Sequence, residues 1–135
     1  MELSQHKDYF STQAKTYADF RPTYPSSLYE FLLQHIPERR IAWDCATGNG
    51  QVANQLASYF EKVYATDISQ QQLEHATQKW NIFYSISSAE KTSFVDKQFD
   101  LITVGQALHW FDRNLFYEEV RRVARRVAPK NPETT

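Results

Sequence analysis

The stretch that most constrains the fold is an apolar run, Ile41 to Cys45, that closes on Ala46-Thr47-Gly48-Asn49-Gly50-Gln51. Glycines between a strand and a helix let the backbone turn sharply. They also let a ligand approach where a Cβ would clash. Val52, Leu56 and Tyr59 or Phe60 then mark a helix, whose first N–H groups are free. Val63 to Ile68 reads as a second buried strand, with Asp67 near its end. Strand, glycine turn, helix and strand make a βαβ unit with parallel strands and a right-handed crossover.

The rest of the chain repeats that alternation. Ser69 begins a helix with Leu73, Ala76 and Trp80 on one face, and Ile82 to Ile86 is a third, weaker strand. Phe99 to Val104 is a fourth. Phe116, Val120, Val123 and Val127 give a last amphipathic helix. Its arginines, Arg121, Arg122, Arg125 and Arg126, read as a solvated face, with Glu118 placed to pair with Arg122 at i, i+4. Upstream, Phe10, Ala14, Tyr17 and Ala18 recur at helical spacing until Pro22 and Pro25 intervene. Ser26 or Ser27 can cap a second helix, with Leu28, Phe31, Leu32 and His35 as its apolar face and Pro37 beyond it. The class is α/β with a parallel sheet. Ligands bind such sheets beyond the carboxyl ends of the strands. Asp44, Asp67, Glu90 and His109 all fall at or just after expected strand ends, where one crevice can collect them.

Composition narrows the function. At 135 residues one domain is expected. Charged residues make up 23% and the net charge is -1, which argues against a protein built to grip nucleic-acid backbones. Cys45 is the single cysteine, and no Cys/His cluster has metal-ligand spacing, so neither a disulfide nor a metal is expected. The start of the chain is polar and lacks a signal-peptide run. No apolar stretch is long enough to span a membrane. A cytoplasmic location is the default.

Two ligands fit the glycine turn. Gly48-x-Gly50-x-x-Ala53, with Asp67 downstream, matches the dinucleotide pattern G-x-G-x-x-G/A. Against it stands Asp44, just ahead of the glycines. A carboxylate there repels a pyrophosphate but suits a cationic group, such as the ammonium of a methionine moiety. Asp67 can accept hydrogen bonds from two ribose hydroxyls in either case.

Asp44-Cys45-Ala46-Thr47-Gly48-Asn49-Gly50 resembles the D-x-G-x-G-x-G motif of class I S-adenosylmethionine-dependent methyltransferases. Asp67-Ile68-Ser69, with Leu73 and Ala76, is similar to their second motif, D-x-S-x-x-x-L-x-x-A. Ser88-Ala89-Glu90 resembles the segment flanking the adenine, and Phe99-Asp100-Leu101-Ile102 their fourth strand. Tyr17 to Pro25 and Gln106 to Asp112 resemble the type 11 subgroup that includes trans-aconitate methyltransferase-like enzymes. The resemblance covers roughly residues 6 to 127.

The resemblance implies a Rossmann-like, doubly wound sheet. It implies a methyltransferase domain over residues 1–128, with a helical lid (1–38) and a cofactor-binding core (39–128), ahead of a disordered tail (129–135). S-adenosylmethionine is the implied cofactor and S-adenosylhomocysteine the product, with no metal. The implied cofactor residues are Asp44, Ala46, Thr47, Gly48, Gly50, Gln51, Asp67, Ile68, Ser88, Ala89, Glu90 and Gln106. Tyr17, Arg21, Tyr24, His109 and Trp110 line the expected pocket for a small-molecule acceptor such as a carboxylic acid, with His109 as candidate base. A non-catalytic S-adenosylmethionine-binding module, a truncated inactive methyltransferase and a nicotinamide-dependent oxidoreductase are the alternatives.

Three departures stand out. Ala46 replaces the first motif glycine, a mild change provided its φ is negative. Ser88 stands where many relatives carry an aspartate. The chain stops after the last helix, where relatives continue with a fifth strand and an antiparallel pair. A shortened enzyme is therefore expected, with its fourth strand an open edge on which two copies can dimerise.

Overall fold

The computed structural model describes residues 24–105 and 111–125. Four short strands carry it: β1 (Ile41–Cys45), β2 (Lys62–Asp67), β3 (Ile82–Ile86) and β4 (Leu101–Val104). All pair in parallel, in the order β3-β2-β1-β4. β1 and β2 are the inner strands, and they are also the most buried. A parallel strand covered on both faces reads as an apolar run, as β1 does. β4 has β1 on one side and no neighbour on the other among the described strands.

Alternation along β1 divides the core. Ala42 faces one side, with Val63, Ala65 and Ile82, against α1 (Ser26–Leu33) and α2 (Gln51–Leu56). Trp43 and Cys45 face the other, with Phe99, Phe116 and Val123, against α4 (Arg113–Val123). Helices on both faces make the sheet doubly wound. Between β3 and β4 no helix forms. Residues 87–100 cover the sheet instead with aromatic side chains: Phe94 packs edge-on to Trp43 at 5.3 Å between centroids and to Phe99 at 4.7 Å.

Several local expectations are corrected. α1 has Pro25 at its N-cap and no side-chain cap, so neither Ser26 nor Ser27 closes it. Its buried residues are Tyr29 and Leu33, while Leu28 and Phe31 are exposed. The packing face is rotated by one residue because the Tyr29 hydroxyl reaches inward, donating to Gln55 Oε1 of α2 at 2.8 Å. α3 (Gln70–Glu74) is capped by Ser69 as expected, its Oγ accepting from the Gln72 N–H, but it ends before Ala76. Trp80 is therefore not on its face and is 86% exposed.

The last helix also differs. Glu118 is exposed, and Arg122 instead pairs with Glu119 at 2.7 Å and Asp96 at 2.8 Å. Glu119 Oε2 also accepts from the Thr92 N–H and hydroxyl, so this cluster fastens α4 to the β3–β4 connection. Arg125 donates to Asp100 Oδ1 at 2.8 Å, while Asp100 Oδ2 accepts the N–H groups of Arg40 and Ile41. That ties the end of α4 to the start of β1. Arg122 and Arg125 are thus structural clamps rather than a solvated face. Arg126 and Val127 lie outside the described residues.

Candidate cofactor site

The glycine turn joins β1 to α2 at the carboxyl edge of the sheet. Ala46, Gly48 and Gly50 have φ of +57°, +61° and +86°. These are the three positions at which the resembled motif carries glycine, and the left-handed region is open to glycine at no steric cost. The condition under which Ala46 is a mild change, a negative φ, is not met: an L-residue sits in a conformation that costs roughly 1–2 kcal/mol.

The turn is held from several sides. The Thr47 N–H donates to Thr66 O at 2.9 Å, and the Thr47 hydroxyl donates to Asp44 Oδ2 at 2.6 Å. The Gly48 N–H donates to Asp67 Oδ2 at 2.9 Å. Asp67 Oδ1 accepts the Ser69 N–H at 2.9 Å, so one carboxylate spans the glycine turn and the entry to α3. Gly50 caps α2, with its N–H on Thr47 O at 2.9 Å.

Asp44 is 2% exposed. It sits opposite Thr103 in the β1–β4 register, and the Thr103 hydroxyl donates to its Oδ1 at 2.7 Å. A buried carboxylate fixed by two hydroxyls keeps its orientation and acceptor capacity. Burial, and then the charges of Asp44, Asp67 and Glu90, push the Cys45 thiol well above its ordinary pKa. Cys45 is thus no nucleophile but a small core residue, and its surroundings show three of the expected acids converging on the end of β1. Glu90 Oε2 also accepts the Asp112 N–H at 2.9 Å, which links the β3–β4 connection to the start of α4.

The other expected residues divide. Gln51 opens α2, and Ile68 follows Asp67 with 53% of its surface exposed. Ala89 is buried in the Trp43 cluster. Ser88 is exposed and closes its own turn, its hydroxyl donating to Lys91 O. Tyr24 is partly exposed, and its carbonyl accepts from Gln55 Nε2. Tyr17, Arg21, Gln106, His109 and Trp110 lie outside the described residues. Gly105 does not: its N–H donates to Cys45 O at 3.1 Å, so the chain leaves β4 beside the glycine turn.

Two residues of the site escaped the reading of the sequence. Thr103 is the polar residue in the otherwise apolar Leu101-Ile102-Thr103-Val104. Its signal is visible, but its partner is not known until the register is. Tyr84 lies over the turn, where a Cβ on Gly50 would collide with its hydroxyl. No local pattern places it there.

The acids and the turn fit S-adenosylmethionine. Asp44 suits an ammonium, Asp67 suits vicinal hydroxyls, and exposed Ile68 offers an apolar surface to a flat ring. Among the described residues no group of His, Cys, Asp and Glu is placed to hold a metal ion.

Comparison with known proteins agrees. The methyltransferase domain family matches residues 43–127. A methyltransferase-named protein of Dictyostelium discoideum is 44% identical over 119 residues, covering 87% of this chain and 45% of that protein. The solved structure of a type II methyltransferase from Anaeromyxobacter dehalogenans is 40% identical with a TM-score of 0.74, covering 78% of this chain and 45% of that one. Phosphoethanolamine N-methyltransferase 2 of Haemonchus contortus, solved with S-adenosylmethionine, is 20% identical with a TM-score of 0.69, a likeness of fold alone. This chain spans a little under half the length of the first two.

Proposed function

Because the chain belongs to the class I S-adenosylmethionine-dependent methyltransferases, we propose that it binds S-adenosylmethionine at the β1 turn and transfers its methyl group to a small-molecule acceptor. The observation that carries this reading is Asp44, a buried carboxylate held by Thr47 and Thr103 directly before the glycines. It opposes a pyrophosphate and favours an ammonium.

When bound, the cofactor supplies a sulfonium methyl already activated toward a nucleophile. Asp44 would hold the methionine ammonium and Asp67 the ribose hydroxyls, and the exposed Ile68 would offer an apolar surface to the adenine. These contacts orient the cofactor, which is most of what this reaction asks of a protein. The chain leaving Gly105 leads within five residues to His109 and Trp110. In this reading Trp110 helps exclude water, and His109 takes the proton of an alcohol, amine or carbon-acid acceptor. A carboxylate acceptor needs no base, and Arg21 is suited to pair with a second carboxylate on it. The type 11, trans-aconitate methyltransferase-like subgroup and a cytoplasmic location belong to this proposal. So does pairing of two copies along β4, which light scattering tests: a monomer at every concentration counts against it.

The main test is calorimetric titration with S-adenosylhomocysteine and NAD, followed by methyl transfer to a panel of small acids and amines. Binding of S-adenosylhomocysteine and not NAD is expected. Binding of NAD alone overturns the reading.

A further inference from the structure

Tyr84 projects from β3, two strands away from β1, yet it meets the glycine turn. A Cβ built on Gly50 would collide with its hydroxyl and lie 3.0 Å from its Cζ and 3.2 Å from its Cε1. The hydroxyl donates to Thr77 O at 2.6 Å, and the Thr77 N–H donates to Asn49 O at 3.3 Å. Thr77 follows α3, so a closed circuit runs from Tyr84 through Thr77 to Asn49 and back across Gly50. Burial, and then the charge of Asp44, hold the Tyr84 hydroxyl up at about 12, so it remains a donor at neutral pH. A phenol whose side chain fills the space above Gly50 and whose proton is committed to Thr77 leaves the turn little room to flatten or flip.

We propose that Tyr84 is a positioning residue for the cofactor: through Thr77 and its contact with Gly50 it holds residues 48–50 in the conformation that receives the methionine end of S-adenosylmethionine. The inference rests on the function proposed above but assigns a role outside the β1 and β2 motifs. It also explains why position 50 requires glycine twice over, by its φ and by the ring above it.

Tyr84→Phe keeps the ring and removes the bond to Thr77, worth about 0.5–1.5 kcal/mol, or roughly two- to tenfold in an equilibrium. The tests are calorimetric affinity for S-adenosylhomocysteine, well below the unfolding temperatures of both proteins, and amide hydrogen exchange at Gly48, Gly50 and Thr77. The expected result is an affinity weaker by about two- to tenfold, with faster exchange at Thr77 and the glycines and unchanged exchange in β1 and β2. A lower melting temperature with unaltered affinity and unaltered turn exchange would reduce Tyr84 to packing and overturn the inference. If the unmodified protein binds no S-adenosylhomocysteine, the functional reading fails by itself. The exchange data then still decide whether Tyr84 governs the turn, but the cofactor role is lost with that reading.

Discussion

Replacing Asp44 by asparagine isolates the charge on which the cofactor assignment turns. The side chain keeps its shape. Its remaining oxygen can accept from one threonine hydroxyl, and the other hydroxyl, Thr47 or Thr103, can rotate to accept from the new amide. The fold should therefore survive, and removing a buried charge does not by itself destabilise it. The loss falls on the ligand. A hydrogen bond to a charged partner contributes about 1.5–3 kcal/mol, so affinity for S-adenosylhomocysteine should weaken by roughly 10- to 150-fold. 5′-Methylthioadenosine shares the adenosine and lacks the ammonium. Its affinity should change by less than about twofold, since the removed interaction is worth nothing to it. Titration calorimetry with both ligands, on protein shown to be folded by circular dichroism, gives the answer. Equal losses for the two ligands would mean that Asp44 acts by shaping the turn. No loss for either would refute the ammonium assignment.

Ala46→Gly should relieve the left-handed strain of roughly 1–2 kcal/mol while raising the freedom of the unfolded chain by about 0.4–1 kcal/mol. Urea denaturation should therefore show a gain of about 0.5–1 kcal/mol, and a loss would mean that the conformation carries no strain. Glu119, held by Arg122 and then by Thr92, has its carboxyl lowered from 4.5 to about 2. Its contribution is complete above pH 4.5 and fades as pH falls through about 2. Glu119→Gln should cost about 2 kcal/mol at pH 7, allowing for solvent around Arg122, and the gap should close over that acid range. A gap that stays constant with pH excludes the ionised cluster as its source. His109→Ala should lower turnover on a protonated acceptor by about 10²- to 10⁴-fold and leave S-adenosylhomocysteine affinity alone. Unchanged turnover rules out the base role.

The alternation of strands and helices, the parallel sheet and the glycine turn were legible because their signals are local. Apolar runs, punctuating glycines and an acid at each strand end need no knowledge of what packs where. What could not be read depended on partners distant in the chain. α1 turned by one residue because Tyr29 finds Gln55 across the helix pair. Trp80 lost its helix because α3 stops at Glu74, a boundary that periodicity sets poorly when the run is short. Arg122 chose Glu119 over Glu118 because Thr92 already holds that carboxylate in place from another segment. In the site, Asp44 and Asp67 were found from position alone, whereas Thr103 and Tyr84 appear only when β4 and β3 are set in register beside β1 and β2.

The turn's conformation is imposed from outside rather than preferred from within. Its first left-handed residue is an alanine, which would not choose φ of +57° in a free peptide. Strain of this kind persists where the surroundings over-determine the backbone. Here those surroundings are Thr66 and Asp67 of β2, Asp44 of β1, Thr103 of β4 behind Asp44, and Tyr84 of β3. All four strands therefore bear on one turn of five residues, 46–50. Pairing at the outer strand β4 should therefore affect cofactor affinity even though β4 supplies none of the expected cofactor residues. Weakening that strand releases Thr103 from Asp44 before it disturbs the glycines, so cofactor affinity should fall ahead of the loss of sheet.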